Sequence, residues 1–350
     1  MNITSTFGTG RISWIWFALA CLFLLVLPTF YDVNTSTVLL IWALFALSLG
    51  LMWGYAGILS FGHAAYFGLG AYTYAVASMN FGESTVPLIL AMLVPAIFAG
   101  LIGAMMFYGR ISDVYMGVIT LVVTLILFKY INSTAGDAYR IGDARLGGFN
   151  GIPAFPILNV PGDPGIQIYG IGLYYVAAAA LLICYLLSRW LLSSYFGRVL
   201  IGIRENEVRT ELLGYSAPLY KTGIFTVSAA MAGLAGCLFA NWAEIVTPGL
   251  FSLGQSAEVI IWTIVGGLGT LVGPILGAIV LGSLKLLLGE QTLIDNSLLL
   301  GLILVLVVLL LPSGIVPTFK RWYLGREQAA ILRRKTSGTR RRRRNHEDGV

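Results

Sequence analysis

Apolar runs close to the roughly 20 residues needed to cross a bilayer recur along the whole chain. They fall at about 12–31, 35–53, 57–80, 86–108, 114–132, 169–192, 220–242, 256–268, 272–289 and 295–313. Each run predicts a helix, so the pattern predicts an all-α polytopic membrane protein of about ten transmembrane helices. The stretch 256–289 would make about 51 Å of helix, more than one span and short for two. It divides at "GGLGTLVGP", and one half is expected to be short or re-entrant. The first run has only Arg11 ahead of it and ends in "LPTFYD" without an Ala-x-Ala-like site, which predicts an anchor rather than a cleaved signal.

Polar positions inside the runs change this picture most at "GILSFGHAAYFGLGAYTYA", residues 57–75, which holds a histidine, three tyrosines and four glycines. On a helix, Ala64, Gly68, Ala71 and Ala75 share one face. Ala229, Gly233, Gly236 and Ala240 repeat the same 4-3-4 spacing further on. Small-residue faces let membrane helices approach backbone to backbone, where packing replaces the missing hydrophobic drive. Two such faces in different parts of the chain suggest an internal duplication with pseudo-symmetric halves. Ser60, His63, Phe67, Gly70 and Tyr74 form a second stripe beside the first. Two readings stand for it: the wall of a solute path, or a set of interhelical bonds and packing contacts.

Composition agrees with the pattern: 57% of residues are hydrophobic, 11% are charged and mean hydropathy is +0.84. Cys21, Cys184 and Cys237 all lie in apolar runs and read as small hydrophobes. His63 and His346 have no paired Cys or His spacing, so no metal site is expected. The net charge of +6 divides unevenly. Residues 319–350 carry eleven Lys/Arg against Glu327, Glu347 and Asp348, or +8, which leaves the rest at −2. A run such as "TRRRRRNHEDG" can bind nucleic acid, but beside a membrane it suits an anionic leaflet, and no nucleic-acid partner is expected. With this tail inside, ten crossings put both termini in the cytoplasm. Then 18 of the 22 basic residues lie on the inner side, all except Lys129, Arg140, Arg145 and Lys285.

The inner loop 193–219 concentrates charge. "RENEVRTELLG" predicts a short amphipathic helix stopped by Gly214, with Leu212 and Leu213 as an apolar ridge. Arg204, Glu207, Arg209 and Glu211 would orient it, an arrangement suited to docking in a groove of a soluble partner. The plain alternative is a helix lying on the lipid surface.

Here the chain resembles a family. "GYAGILSFGHAAYFGLGAY", "GGFNGIP", "RENEVRTELLGYSAPLYK", "FTVSAAMAGLAGCLFA", "GGLGTLVGPILGA" and "LPSGIVP" are similar, in order, to motifs of permease subunits of bacterial ATP-binding-cassette importers for branched-chain amino acids, from about residue 36 to 317. The resemblance implies a type II importer-like fold with pseudo-symmetric halves, in the bacterial inner membrane. Its expected divisions are a cytoplasmic N-terminus 1–11, a permease domain 12–318 with an external loop 133–168, and a cytoplasmic tail 319–350. It also implies that 193–219 couples to an ATPase. The usual Glu-Ala-Ala before a glycine is replaced here by Glu207 seven residues ahead of Gly214. Implied partners are a homologous second permease, two ATPases that carry ATP and Mg, an extracytoplasmic solute-binding protein and membrane lipid. Close relatives import urea or short amides, so that solute class stands as the alternative.

The chain itself offers no nucleotide site. The residues before Lys129, Lys221, Lys285, Lys320 and Lys335 are Phe, Tyr, Leu, Phe and Arg, so none completes a Gly-Lys-Ser/Thr ending. An ion-coupled transporter carries charges inside the membrane. Here Lys129, Glu244, Glu258 and Lys285 are all expected near outer helix ends, which favours the ATP-driven class. No enzyme chemistry and no bound cofactor are expected of this chain. The external loop, rich in Gly, Pro and Asp, reads as turns, open either as plain surface or as a docking face for a binding protein.

Overall fold

Asp32 opens the first helix by accepting from Thr35 N and Thr35 Oγ1, both at 2.8 Å, and these bonds hold its carboxyl below the usual range. Twenty-four apolar or small residues follow as α1 (Val33–Ala56), until Gly57 takes φ 76° and ends the helix. In the computed structural model α1 is almost wholly buried by its neighbours, the post around which the fold is built. The structure describes residues 32–136, 138–289 and 314–318, with Leu24, Pro28 and Gly301. The remainder of the first and last expected runs, Arg11, Cys21 and the basic tail with His346 lie outside the described residues.

The other helices are α2 (Ala64–Phe81), α3 (Thr85–Tyr108), α4 (Asp113–Ser133), α5 (Ile171–Ser193), α6 (Tyr195–Glu205), α7 (Glu207–Leu212), α8 (Ala217–Ala243), α9 (Leu253–Gly266) and α10 (Val272–Gly289). Among the described residues five helices are long and apolar enough to span a membrane: α1, α3, α4, α5 and α8. The expected run 57–80 differs. Residues 57–63 are not helical, and α2 begins only at Ala64. The expected weakness in 256–289 falls on α9, whose 14 residues reach about 21 Å, short of a hydrocarbon core of about 30 Å.

Charged turns and short strands sort to opposite ends of the bundle. At one end lie the α3–α4 turn, α6, α7 and the α9–α10 turn, with Gly54 against the backbone of Gly269. At the other, the 133–168 segment is more than turns. It forms the antiparallel ribbons β1–β2 (Arg140–Ile141, Ala144–Arg145) and β4–β5 (Asn159–Val160, Asp163–Gln167), while β3 (Ile152–Pro153) pairs with β6 (Ile245–Val246). Side-chain amides bolt this layer to the helix ends. Asn80 Nδ2 donates to Ile141 O at 3.0 Å, and Leu158 N donates to Asn241 Oδ1 at 2.7 Å.

A close backbone-to-backbone crossing joins α2, α8 and α3. A Cβ at Gly70 would run into the backbone of Gly233, and one at Gly236 into Phe67 O and the Ala71 amide. Gly233 itself receives Ala91 O and the Pro95 ring of α3. Pro95 has no N–H for the Ala91 carbonyl one turn earlier, so that oxygen is free to face the Gly233 backbone. The expected small face is therefore turned slightly. Phe67, Gly70 and Ala71 meet α8, whereas Gly68 makes room for the ring of Phe251. Overpacking usually costs roughly 1–3 kcal/mol, more where backbone cannot give way. Gly70→Leu is expected to lose most folded protein, read as monodisperse yield in detergent, whereas Gly249→Ala, whose nearest neighbour would be Thr247 Oγ1 at 3.4 Å, should leave the yield unchanged.

Candidate functional site

Residues 57–63 run from the end of α1 back into the bundle as irregular chain, with Ile58, Ser60, Gly62 and His63 buried. Irregular backbone at membrane depth persists only where protein or water satisfies it. Thr120 Oγ1 accepts from Phe61 N at 3.2 Å, and Thr124 Oγ1 donates to Gly62 O at 2.9 Å. Ser256 Oγ of α9 accepts from Ala64 N at 3.3 Å. Both hydroxyl groups on α4 lie well along the helix from its charged end, which places the repair inside the bundle.

His63 caps this segment. Its Nε2 lies 2.8 Å from Ser48 Oγ, and its ring stacks on Phe45 at 5.5 Å. Ser48 Oγ also lies 2.6 Å from Phe45 O, and His63 Nδ1 is buried with no partner among the described residues. Phe67 packs between Phe45 and Phe239, and Tyr74 Oη donates to Pro156 O at 3.4 Å. Ser60, His63, Phe67 and Tyr74 are thus all sealed inside the single chain, and Gly70 belongs to the helix crossing. The structure brings this stripe together as packing against α1 and α8.

The charged segment is built in two pieces instead of one helix. Asn206 breaks it, with φ −160°, and caps α7 by accepting from Arg209 N at 2.8 Å. Arg204 ends α6 and turns inward, its Nη1 donating to Gly54 O at the foot of α1. Lys221 Nζ reaches Glu207 Oε2 at 2.6 Å, and Arg110 Nη2 lies 3.6 Å from Glu211 Oε2. Two acids of α7 thus tie it to α8 and to the α3–α4 turn, around a cavity of about 330 Å³ also lined by Phe107, Ile111, Asp113 and Pro218. Gly214, at φ 91°, turns the chain out of α7.

What α7 leaves open is apolar. Leu212 is 83% exposed and Leu213 71%. Val208, 68% exposed, extends the ridge. It is missing from the ridge expected from sequence, although its i, i+4 spacing to Leu212 signals a shared face. Arg209 is the one charge of α7 that is exposed on this side. The tyrosines flanking the two short helices also meet. Tyr195 Oη donates to Tyr215 Oη, which pushes the Tyr195 phenol up to about 12.

If the two tethers hold α7 in place, removing them exposes its backbone. Exposed pairs contribute roughly 0–1 kcal/mol, and more is expected of Lys221, whose side chain is 11% exposed. Lys221→Met with Arg110→Met is expected to speed tryptic cleavage after Arg209 about fivefold or more, read by mass spectrometry, with cleavage elsewhere unchanged.

The family described as "Branched-chain amino acid transport system / permease component" matches residues 32–311. The chain is 29% identical over 304 residues to the high-affinity branched-chain amino acid transport system permease protein LivM of Salmonella typhimurium, covering 82% of this chain and 70% of that protein. It is 29% identical over 303 residues to LivM of Escherichia coli, with 81% and 70% covered. It is 23% identical over 339 residues to a probable LivM of Methanocaldococcus jannaschii, with 82% and 94% covered. No solved structure matches the chain.

Proposed function

The chain belongs to the family of permease components of branched-chain amino acid transport systems, and from that premise we propose how it is assembled and driven. It is a multi-pass membrane transport subunit of an ATP-binding-cassette importer for branched-chain amino acids. The observation that carries this is the family match across residues 32–311, nearly all of the described helices.

A second homologous permease completes the path, two ATPase subunits hold ATP and Mg on the cytoplasmic side, and a solute-binding protein docks outside. About ten helices in two pseudo-symmetric halves, with both termini cytoplasmic, form the permease domain 12–318. The charge distribution supports this orientation, because the end bearing α6 and α7 is also the end bearing Arg110. On the opposite end, the ribbons of 133–168 offer the binding protein a face held firmly to α2, α3 and α8.

Force from ATP-driven closure enters through α7. A short helix tied by Glu207 and Glu211 and presenting Leu212 and Leu213 outward, with Val208 at the rim of the cavity, transmits displacement in a way a free loop does not. Arg209 sits on the rim and sets the angle. Arg204 acts differently, as a link from α6 to the foot of α1, so a push on α7 also reaches the central post.

Truncating a buried interface anchor commonly costs about 2 kcal/mol or more, and rim charges less. Leu212→Ala with Leu213→Ala is expected to release the ATPase in a pull-down and abolish leucine uptake, with docking of the solute-binding protein retained. Deleting the arginine run from residue 340 should change uptake by less than about twofold. Loss of coupling in the tail deletion but not in the double leucine variant would move the ATPase contact away from α7.

A further inference from the structure

Lys285 of α10 and Glu258 of α9 lie far from both charged ends of the bundle. Sequence alone puts them near outer helix ends, and they lie four residues before the end of α10 and five after the start of α9, with their charged groups turned in beside α1. Lys285 Nζ meets Glu258 Oε1 at 2.6 Å and Oε2 at 2.7 Å, and stands 5.2 Å from the centre of the Trp42 ring. Trp42 is nine residues into α1, about 14 Å from its outer end and near its middle. The cause is α9 itself. The chain enters from the outer layer as a 3-10 turn, Pro248–Phe251, and α9 starts only when it reaches the level of Ala64.

An ion pair within the membrane-spanning bundle is costly in hydrocarbon and marks a functional site by default. This one is also incomplete. Both carboxylate oxygens accept from a single ammonium, and among the described residues their other lone pairs and the third N–H of Lys285 have no hydrogen-bond partner. The side chains are 25% and 18% exposed, so the pair is not sealed. Glu258 shares the open face of α9 with Gly254, Ala257, Ile261 and Ile264. Among the described residues a Cβ at Gly254, one turn from Glu258, would meet only Ser252 Oγ, at 3.8 Å. One turn along, Trp262 packs on Trp42 at 5.4 Å, with its Nε1–H buried and unpartnered among the described residues.

We infer that Glu258 and Lys285 form a resting point inside the bundle for the head group of the passing amino acid, its ammonium on Glu258 and its carboxylate on Lys285. This rests on the importer reading. A net-neutral pair receives a net-neutral zwitterion without adding charge to the membrane interior, and each new contact is charge-assisted. The gap at Gly254 and Ala257 admits the head group, and Ile261 and Ile264 meet an aliphatic side chain. Urea and acetamide carry neither charge and gain nothing from the pair.

The test uses the complete transporter with its binding protein in proteoliposomes, measuring leucine, urea and acetamide uptake. Glu258→Gln with Lys285→Met removes both charges together, which avoids stranding one of them. The expected variant assembles, keeps binding-protein-stimulated ATP hydrolysis within about twofold of wild type, and loses at least about tenfold of leucine uptake. Wild-type leucine uptake in the assembled variant would overturn the inference. If that variant does not assemble, Gly254→Val decides: it fills the gap and leaves both charges, so a loss of about tenfold supports the site and unchanged uptake overturns it. Urea or acetamide uptake without leucine uptake by the wild-type complex would overturn the substrate reading and this inference with it.

Discussion

In hydrocarbon no backbone N–H or C=O can be left without a partner, and among the described residues this chain breaks its helices inside the bundle twice, at 57–63 and 244–252. Residues 57–63 enter from the charged end and 244–252 from the strand-bearing end. Everything else at the centre answers to those two breaks. Thr120 and Thr124 supply the hydroxyl groups that the first break needs, and Ser256, at the start of the second helix, supplies another. Two helices of opposite direction, α2 and α9, therefore begin at the same depth and meet through Ala64 and Ser256. The buried polar groups ahead of α2 are the consequence, since the broken segment brings Ser60 and His63 inside, where Gly62 N donates to Ser60 and Ser48 and Phe45 receive His63.

The breaks also explain the glycines. A helix starting inside the bundle must cross its neighbours closely to cover its own start, and Gly70, Gly233 and Gly236 allow that approach. With α2 fixed against α8, Phe251 fills the space over Gly68 and sets where α9 begins. That start in turn brings Glu258 alongside Lys285 of α10. The same centre reaches the charged end through α1, whose foot is held by Arg204.

Much of this is legible in the residues. Long apolar runs at 86–108, 114–132, 169–192 and 220–242 correspond to α3, α4, α5 and α8, because twenty-odd apolar residues have few other ways to be satisfied. Gly233 and Gly236 can be read as a packing face, since small residues at helical spacing have one main use in a membrane. The break before Ala64 cannot. Hydropathy counts Ile58, Phe61 and Gly62 as apolar whether or not they are helical, and the hydroxyl groups that permit the break are some sixty residues away on α4. Gly70 falls in the wrong stripe for the same reason, as a helix starting at 57 would be rotated differently against its partner. On α7, Asn206 is a helix-starting residue inside what reads as one amphipathic run, and its capping role separates Arg204 from the ridge beside it. Glu258 looks peripheral as long as its helix begins at the outer face, and nothing local to the sequence says that it does not.

The meeting of α2 and α9 brings together residues 192 positions apart, and it is open to direct measurement. In a chain whose Cys21, Cys184 and Cys237 are replaced by Ala, Ala64→Cys with Ser256→Cys would place two thiols within the few ångströms that a disulfide spans. Mild oxidation in native membranes is expected to join them quantitatively, seen as a mobility shift reversed by reductant. The control, Phe81→Cys with Ser256→Cys, sets the thiols at different depths and should not join. Failure of the first pair to join in a folded, assembled transporter would contradict two helices starting together inside the membrane.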